Sequence, residues 1–199
     1  MSLLREYVRE LLTESAEIHP KIMELIGRAE KLGYKLKLRD DRLIMFDPET
    51  VEMKGKIQFS KARFSPSDGP CGGAAMVASS SAQDGLGPLM YDVVIEHSGG
   101  LIADRYSVSK EALAVWDRYM NGRPDIEAVQ LDDLRNTLTD EDEDNCNQEV
   151  AGGVAAWLDG HEPTDGWTRS PLSKMYRKKG GGTPVIDELK RRGMLWSLK

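Results

Sequence analysis

Apolar and polar positions follow two rhythms along this chain. Leu3, Leu4, Tyr7, Val8, Leu11 and Leu12 recur at helical spacing with Arg and Glu opposite, which predicts an amphipathic helix interrupted by Thr13 or Ser15 and then Pro20. Ile22 to Leu32 repeats that rhythm and closes at Gly33, a residue suited to the left-handed position just past a helix. The period then drops to two. Tyr34 to Leu38 alternates, Asp40-Asp41 turns, and Arg42 to Phe46 runs apolar up to Asp47-Pro48. Val51 to Phe59 has a weaker strand pattern that Lys61 to Phe64 extends, and Ser65 to Pro70 reads as a loop. Ala74 to Ala78 reads as a short buried strand. The first half therefore predicts two helices followed by an antiparallel meander of three or four strands.

Ser79 to Gly87 is rich in Ser and Gly and leads into Pro88 to His97, a helix with Pro in its first turn, closed by Gly99-Gly100. Leu101 to Ala103 is a short strand, and Ser107 or Ser109 caps a helix from Lys110 to Met120 with Glu111 in its first turn. Strand, glycine loop, helix, strand and helix make a β-α-β-α unit, for which parallel strands are the rule. Beyond Gly122 the rhythm weakens. Ala128 to Leu131 predicts a last strand, Thr139 to Glu143 a capped helix start, and Gly180 to Gly182 a flexible joint before a short helix from Val185 to Arg192. The expected fold is mixed α/β, a central mixed sheet flanked by helices. Residues 1–33 form a helical segment, 34–135 the core, and 136–199 an irregular extension.

Composition narrows the class. With 40% hydrophobic and 30% charged residues among 199, the chain can bury a core and keep the rest solvated. No apolar run reaches the ~20 residues of a membrane span, and the charged start MSLLREYVRELLTE does not read as a secretory leader. Cys71 and Cys146 stand far apart without metal-ligand spacing, which reads as free thiols in a cytoplasmic protein. The net charge of −6 argues against wholesale nucleic-acid wrapping. Its distribution is uneven: Arg123 to Asp165 holds thirteen acidic residues against two basic, and Arg169 to Lys199 nine basic against two acidic. Asp140, Asp142 and Asp144 imitate the start of a calcium loop, but Asn145 and Ala151 stand where that loop needs Gly and Glu. Arg177-Lys178-Lys179 reads either as a phosphate contact or as a solvated tail. Trp157, Trp167 and Trp196 read as core or docking anchors, and His19 and His161 are isolated. The first helix reads as docked on its own domain, with self-association through Leu4, Val8 and Leu11 the other reading.

The candidate chemistry sits at Gln83-Asp84-Gly85-Leu86-Gly87. A glycine loop between a strand and a helix N-terminus aims backbone N–H groups and the positive end of a helix dipole at a phosphate. A P-loop is excluded because no Gly-Lys-Ser/Thr follows, and a dinucleotide fingerprint because no third glycine stands at its spacing.

The stretch Gly85-Leu86-Gly87-Pro88-Leu89-Met90-Tyr91-Asp92-Val93-Val94-Ile95-Glu96 resembles the acyl-CoA-binding motif of GNAT N-acetyltransferases. Gly100 to Arg105 and Val108 to Tyr119 resemble the next strand and helix of that fold, and are similar in particular to those of small GNAT-like proteins of tailed bacteriophages. The resemblance spans roughly residues 55 to 130. It implies acetyl-CoA or another acyl-CoA as cofactor and direct transfer to a small-molecule or protein amine. It also implies a location in the host cytoplasm, a virion being the alternative. Gln83, Asp84, Gly85, Leu86 and Gly87 would offer amides to phosphate, with Tyr91 beside them, and Met76, Val77 and Ala78 would flank the pantetheine arm. Two departures stand out. Ala82 occupies the place where the family carries Arg or Gln, and Trp116 the place where it carries a proton-donating Tyr. The catalytic candidates that remain are Tyr119, Tyr106 and Glu96. The competing readings are a GNAT-shaped scaffold without catalysis and an acyltransferase acting on nucleic acid.

Overall fold

The computed structural model describes residues 17–61, 74–103, 108–131 and 169–197. They form an eight-stranded mixed sheet with four helices. In chain order the elements are α1 (Pro20–Lys31), β1 (Lys35–Arg39), β2 (Arg42–Phe46), β3 (Met53–Lys61), β4 (Ala75–Ala82), α2 (Gly87–Ser98) and β5 (Leu101–Ile102). There follow α3 (Lys110–Gly122), β6 (Ile126–Gln130), a 3₁₀ turn at Pro171–Ser173, β7 (Lys174–Lys178), α4 (Pro184–Arg191) and β8 (Leu195–Ser197). Tyr106, Cys71, Cys146, Trp157, Trp167, the first helix with Leu4, Val8 and Leu11, and the acidic run at 140–144 all lie outside the described residues. No helix among the described residues is long and apolar enough to cross a membrane.

The meander is antiparallel, as its alternation predicts: β1 pairs β2, β2 pairs β3, and β3 pairs β4 from Lys61↔Ala75 to Gly55↔Ala82. β4 and β5 pair in parallel across α2. The C-terminal part corrects the division drawn from the sequence. Its described residues, 169–197, are not an irregular extension, and the sheet does not end at 135, because β7 inserts between β5 and β6 and β8 adds to β1. Five-residue strands such as Lys174-Met-Tyr-Arg-Lys carry too short an alternation to stand out among charges. The joint at Gly180 to Gly182 is a defined turn, with all three glycines at positive φ and Gly181 N–H bonded to the Lys178 carbonyl. Trp196 does dock the tail, its ring 5.7 Å from that of Phe46.

Helix α2 is the centre of the molecule. Leu89 to Glu96 are buried without a break, so it faces protein on every side and packs on α1, α4 and the sheet. Its approach to the sheet needs Gly55, where an added Cβ would lie 2.7 Å from Met90 Sδ and 3.1 Å from the Ser81 carbonyl oxygen. Helix α1 buries Ile22, Leu25, Ile26 and Ala29, the i, i+3, i+4, i+7 stripe that its sequence shows.

Inside α2 two carboxylates four residues apart share one face, Asp92 and Glu96, and both are buried. Asp92 receives a two-pronged pair from Arg123, Nη1 to Oδ1 at 2.9 Å and Nη2 to Oδ2 at 2.7 Å. Arg123 also binds Asp125, which accepts from Lys178 Nζ at 2.8 Å. Burial opposes the charge on Arg123, but its bonds to Asp125 and Asp92 win and hold its pKa above the ordinary value. Asp125 follows the same logic: burial would raise its carboxyl, and bonding to Arg123 and Lys178 holds it below the usual range. This network ties α2 to the end of α3, to the Asp125 turn and to β7.

Candidate functional site

The parallel pairing of β4 and β5 covers only Ala75↔Leu101 and Met76↔Ile102. β4 continues to Ala82 along β3, so from Val77 onward its other edge has no strand beside it among the described residues. The cause is local. The β3–β4 register shifts between Gln58↔Ser79 and Phe59↔Val77, which leaves Ala78 as an extra residue, and such a bulge bends its strand. The Ser-rich stretch read as loop from Ser79 onward is thus strand as far as Ala82, and only Gln83 to Leu86 turn.

The divergence opens a cleft of about 500 Å³ whose walls include Ser80, Ser81 and Ala82 of β4, Gly85 and Gly87 of the loop, Tyr91 of α2, and Ser109 and Glu111 at the start of α3. A second part of about 300 Å³ runs on past Val77, Ala78 and Tyr91 to Trp116. Both volumes fall near or within the range of small-ligand sites. Tyr91 and Ser80 line both parts and share a hydrogen bond of 2.8 Å, and the Trp116 ring meets Tyr91 edge-on at 4.9 Å. Two helix starts face the cleft. That of α3 is capped by Ser109, which accepts from Ala112 N–H, whereas α2 has no side-chain cap at Leu86.

Asp84 and Gly85 both adopt positive φ, +55° and +66°. Asp84 tolerates this conformation better than most residues, and its carboxylate is held by the Tyr34 hydroxyl at 3.0 Å. Of the five loop residues expected to present amides, two are already committed. Gln83 N–H donates to the Lys54 carbonyl and Leu86 N–H to the Gln83 carbonyl, and the Leu86 side chain is core. The N–H groups of Asp84, Gly85 and Gly87 have no acceptor among the described residues. An added Cβ on Gly87 would meet nothing closer than Ala82 Cβ at 3.8 Å, so this position borders open space.

The structure gathers most of the expected cofactor residues: Val77, Ala78, Gly85, Gly87 and Tyr91 line the cleft, and Met76 sits at the point where β4 and β5 part. Of the catalytic candidates, Tyr106 lies outside the described residues, and neither Tyr119 nor Glu96 stands at the cleft. Tyr119 is buried, its hydroxyl donating to Asp92 Oδ1 at 2.6 Å and lying 2.9 Å from the Pro88 carbonyl oxygen. Burial and then the Asp92 charge push that hydroxyl well above 10, so Tyr119 serves the buried network and not the cleft. Glu96 points away as well, accepting the N–H groups of Val185 and Ile186 at 3.1 and 2.9 Å and so capping α4. Desolvation raises its carboxyl to about 7 against the pull of those two bonds. Reading the chain as a sequence missed Ser80, Ser109 and Glu111. Ser80 was concealed by the loop-like composition, and the other two were seen only as helix-start residues.

Fold and site together define an α/β protein whose sheet splits beside a glycine turn. The chain matches no family model, no curated protein and no solved structure.

Proposed function

We propose that this chain is an acyl-CoA-dependent N-acyltransferase of the GNAT kind. The observation that carries the reading is the split between β4 and β5, open from Val77 to Ala82 and ending on the Asp84–Gly87 turn at the start of α2. An extended ligand with amide groups can pair with a strand edge that has no neighbour among the described residues, and the diphosphate of coenzyme A suits the three N–H groups without an acceptor among them at an uncapped helix start. When bound, acyl-CoA supplies an activated thioester. The amine nitrogen attacks the carbonyl carbon, the carbon–sulfur bond breaks, the ammonium proton leaves to a base, and the thiolate takes up a proton. The chain's own part is to hold the cofactor along β4 and keep the thioester between the strands. The acceptor is a small-molecule or protein amine.

A second reading is favoured by one observation. Tyr119 is committed to Asp92 and Trp116 fills the deeper wall, which suits a scaffold that binds the cofactor or nothing and transfers no acyl group. Calorimetric titration with acetyl-CoA separates these, beside a Gly87→Trp variant that the open space around Gly87 accommodates. Micromolar binding lost in the variant, with thiol release in the presence of amines, is the expected result. Binding without thiol release across a broad amine panel favours the scaffold. Absence of heat from a folded wild-type protein refutes the cofactor site.

A further inference from the structure

The turn at Asp84–Gly87 lacks a cation of its own. Ala82 stands where a positive or amide side chain was looked for, and the nearest charges that the cleft and turn supply are the carboxylates of Glu111 and Asp84. A diphosphate entering here meets three N–H groups and two negative side chains, which is a poor balance without a counter-charge.

The counter-charge comes from another element. Arg28 lies in the last turn of α1, and a Cβ added at Gly85 would be 3.8 Å from its Nη1. Its side chain is exposed and forms no ion pair among the described residues. The carboxylates on α1 that would neutralise it are paired with other cations, Glu24 with Lys21 at 2.7 Å and Glu30 with Arg192 at 2.6 Å, while Asp84 accepts from the Tyr34 hydroxyl at 3.0 Å and keeps its charge. The helix that carries Arg28 is held in place. The buried stripe Ile22, Leu25, Ile26 and Ala29 fixes the rotation of α1, and Tyr34, three residues past its end, clamps the turn through Asp84.

We infer that Arg28 is a cofactor-binding residue, its guanidinium gripping the diphosphate of the acyl-CoA from across the glycine turn. The inference rests on the acyl-CoA reading. A planar fork with several N–H donors suits two phosphate oxygens at once, and the diphosphate would lie between Arg28 on one side and the N–H groups of Gly85 and Gly87 on the other.

The test uses the full chain as wild type, Arg28→Ala and Arg28→Lys, titrated with CoA, dephospho-CoA and S-acetylpantetheine. The last lacks the diphosphate, and dephospho-CoA keeps it while losing the ribose phosphate. Expected is a loss of tenfold or more in affinity for both CoA and dephospho-CoA in Arg28→Ala, partly restored in Arg28→Lys. Affinity for S-acetylpantetheine should be unchanged, and the salt dependence of CoA binding should be shallower in Arg28→Ala. Wild-type binding with an Arg28→Ala affinity within twofold overturns the inference and leaves the cofactor reading intact. So does an equal loss on S-acetylpantetheine, which marks a change of shape. A loss confined to CoA assigns Arg28 to the ribose phosphate and overturns the diphosphate assignment. A wild type that binds none of the three removes the cofactor reading and the inference with it.

Discussion

Consider Glu96, enclosed between α2, α4 and β7 with its two oxygens on the N–H groups of Val185 and Ile186, Lys178 Nζ 3.8 Å away and Asp92 one turn back. Its carboxyl titrates at 4.5 in a free chain and at about 7 in the folded one, chiefly because burial disfavours the charge. Between those values the folded protein keeps a proton that the unfolded chain has lost, so stability falls as pH rises. The contribution is fully present below about 4.5 and exhausted above about 7. A rise of about 2.5 at 1.36 kcal/mol for each pH unit gives about 3 kcal/mol across the window. For a chain of this length that corresponds to a Tm change of about 6–12 °C. The perturbation is Glu96→Gln, which keeps the shape and removes the titration. Urea unfolding of both proteins from about pH 4.5 to pH 8 should show the wild type losing about 3 kcal/mol relative to the variant. Absolute stabilities will differ because the amide makes a poorer cap, so the slope is the quantity to compare. A difference that stays constant to within about 0.5 kcal/mol over that window would refute the burial argument. Asp125 works the other way. Its folded pKa is depressed, so its contribution is present above 3.8 and is lost as pH falls, which places the optimum from these two groups at about pH 4–5.

Three further outcomes follow from the packing. Arg123→Met leaves Asp92 buried without its two-pronged partner and should cost about 3–5 kcal/mol in chemical denaturation, while Asp92→Leu with Arg123→Met should recover most of that. If the single variant loses under 1 kcal/mol, the network is not coupled as described. Tyr119→Phe should lose about 1.5–3 kcal/mol of stability and leave any thiol release at saturating acyl-CoA unchanged. Loss of turnover without loss of stability would return Tyr119 to the catalytic list. Gly55→Ala should cost about 1–3 kcal/mol, because the new methyl meets Met90 Sδ at 2.7 Å and the Ser81 carbonyl at 3.1 Å. An unaltered melting curve would show that α2 can retreat from β3.

What the sequence made legible was whatever a local rhythm encodes. Ile22, Leu25, Ile26 and Ala29 mark α1, the pairs of alternating strands mark the meander, and Gly99 at φ +73° marks the end of α2 as its position implied. The glycine turn was visible as a turn beside a helix start. The cleft was not, because it depends on a one-residue bulge at Ala78 that no composition signals, and because Ser79 to Ala82 look like loop residues while pairing with β3. Long-range partners were equally hidden. Nothing near Asp92 announces Arg123, 31 positions on, and nothing near Glu96 announces the N–H groups of Val185 and Ile186, 89 and 90 positions on. Tyr119 was legible as a tyrosine on the right helix, but its bond to Asp92, 27 positions away, was not.

The place of β7 in the sheet also governs the order in which the molecule can be completed as it is made. Among the described residues β6 pairs with no strand but β7, and β5 has only β4 until β7 arrives. Gln130 and Lys174 are 44 positions apart, which at 5–20 residues per second is about 2–9 s of synthesis. Through that interval the newborn chain carries α2 with Asp92 and Glu96 but neither Lys178 nor α4 to meet them. Among the described residues nothing pairs with the outer edge of β5 until β7 is made, and an unpaired edge invites other strands. A ribosome that stalls or a message that ends within that interval therefore yields a species with an unfinished sheet and half-answered charges, which is a natural target for chaperones and proteases.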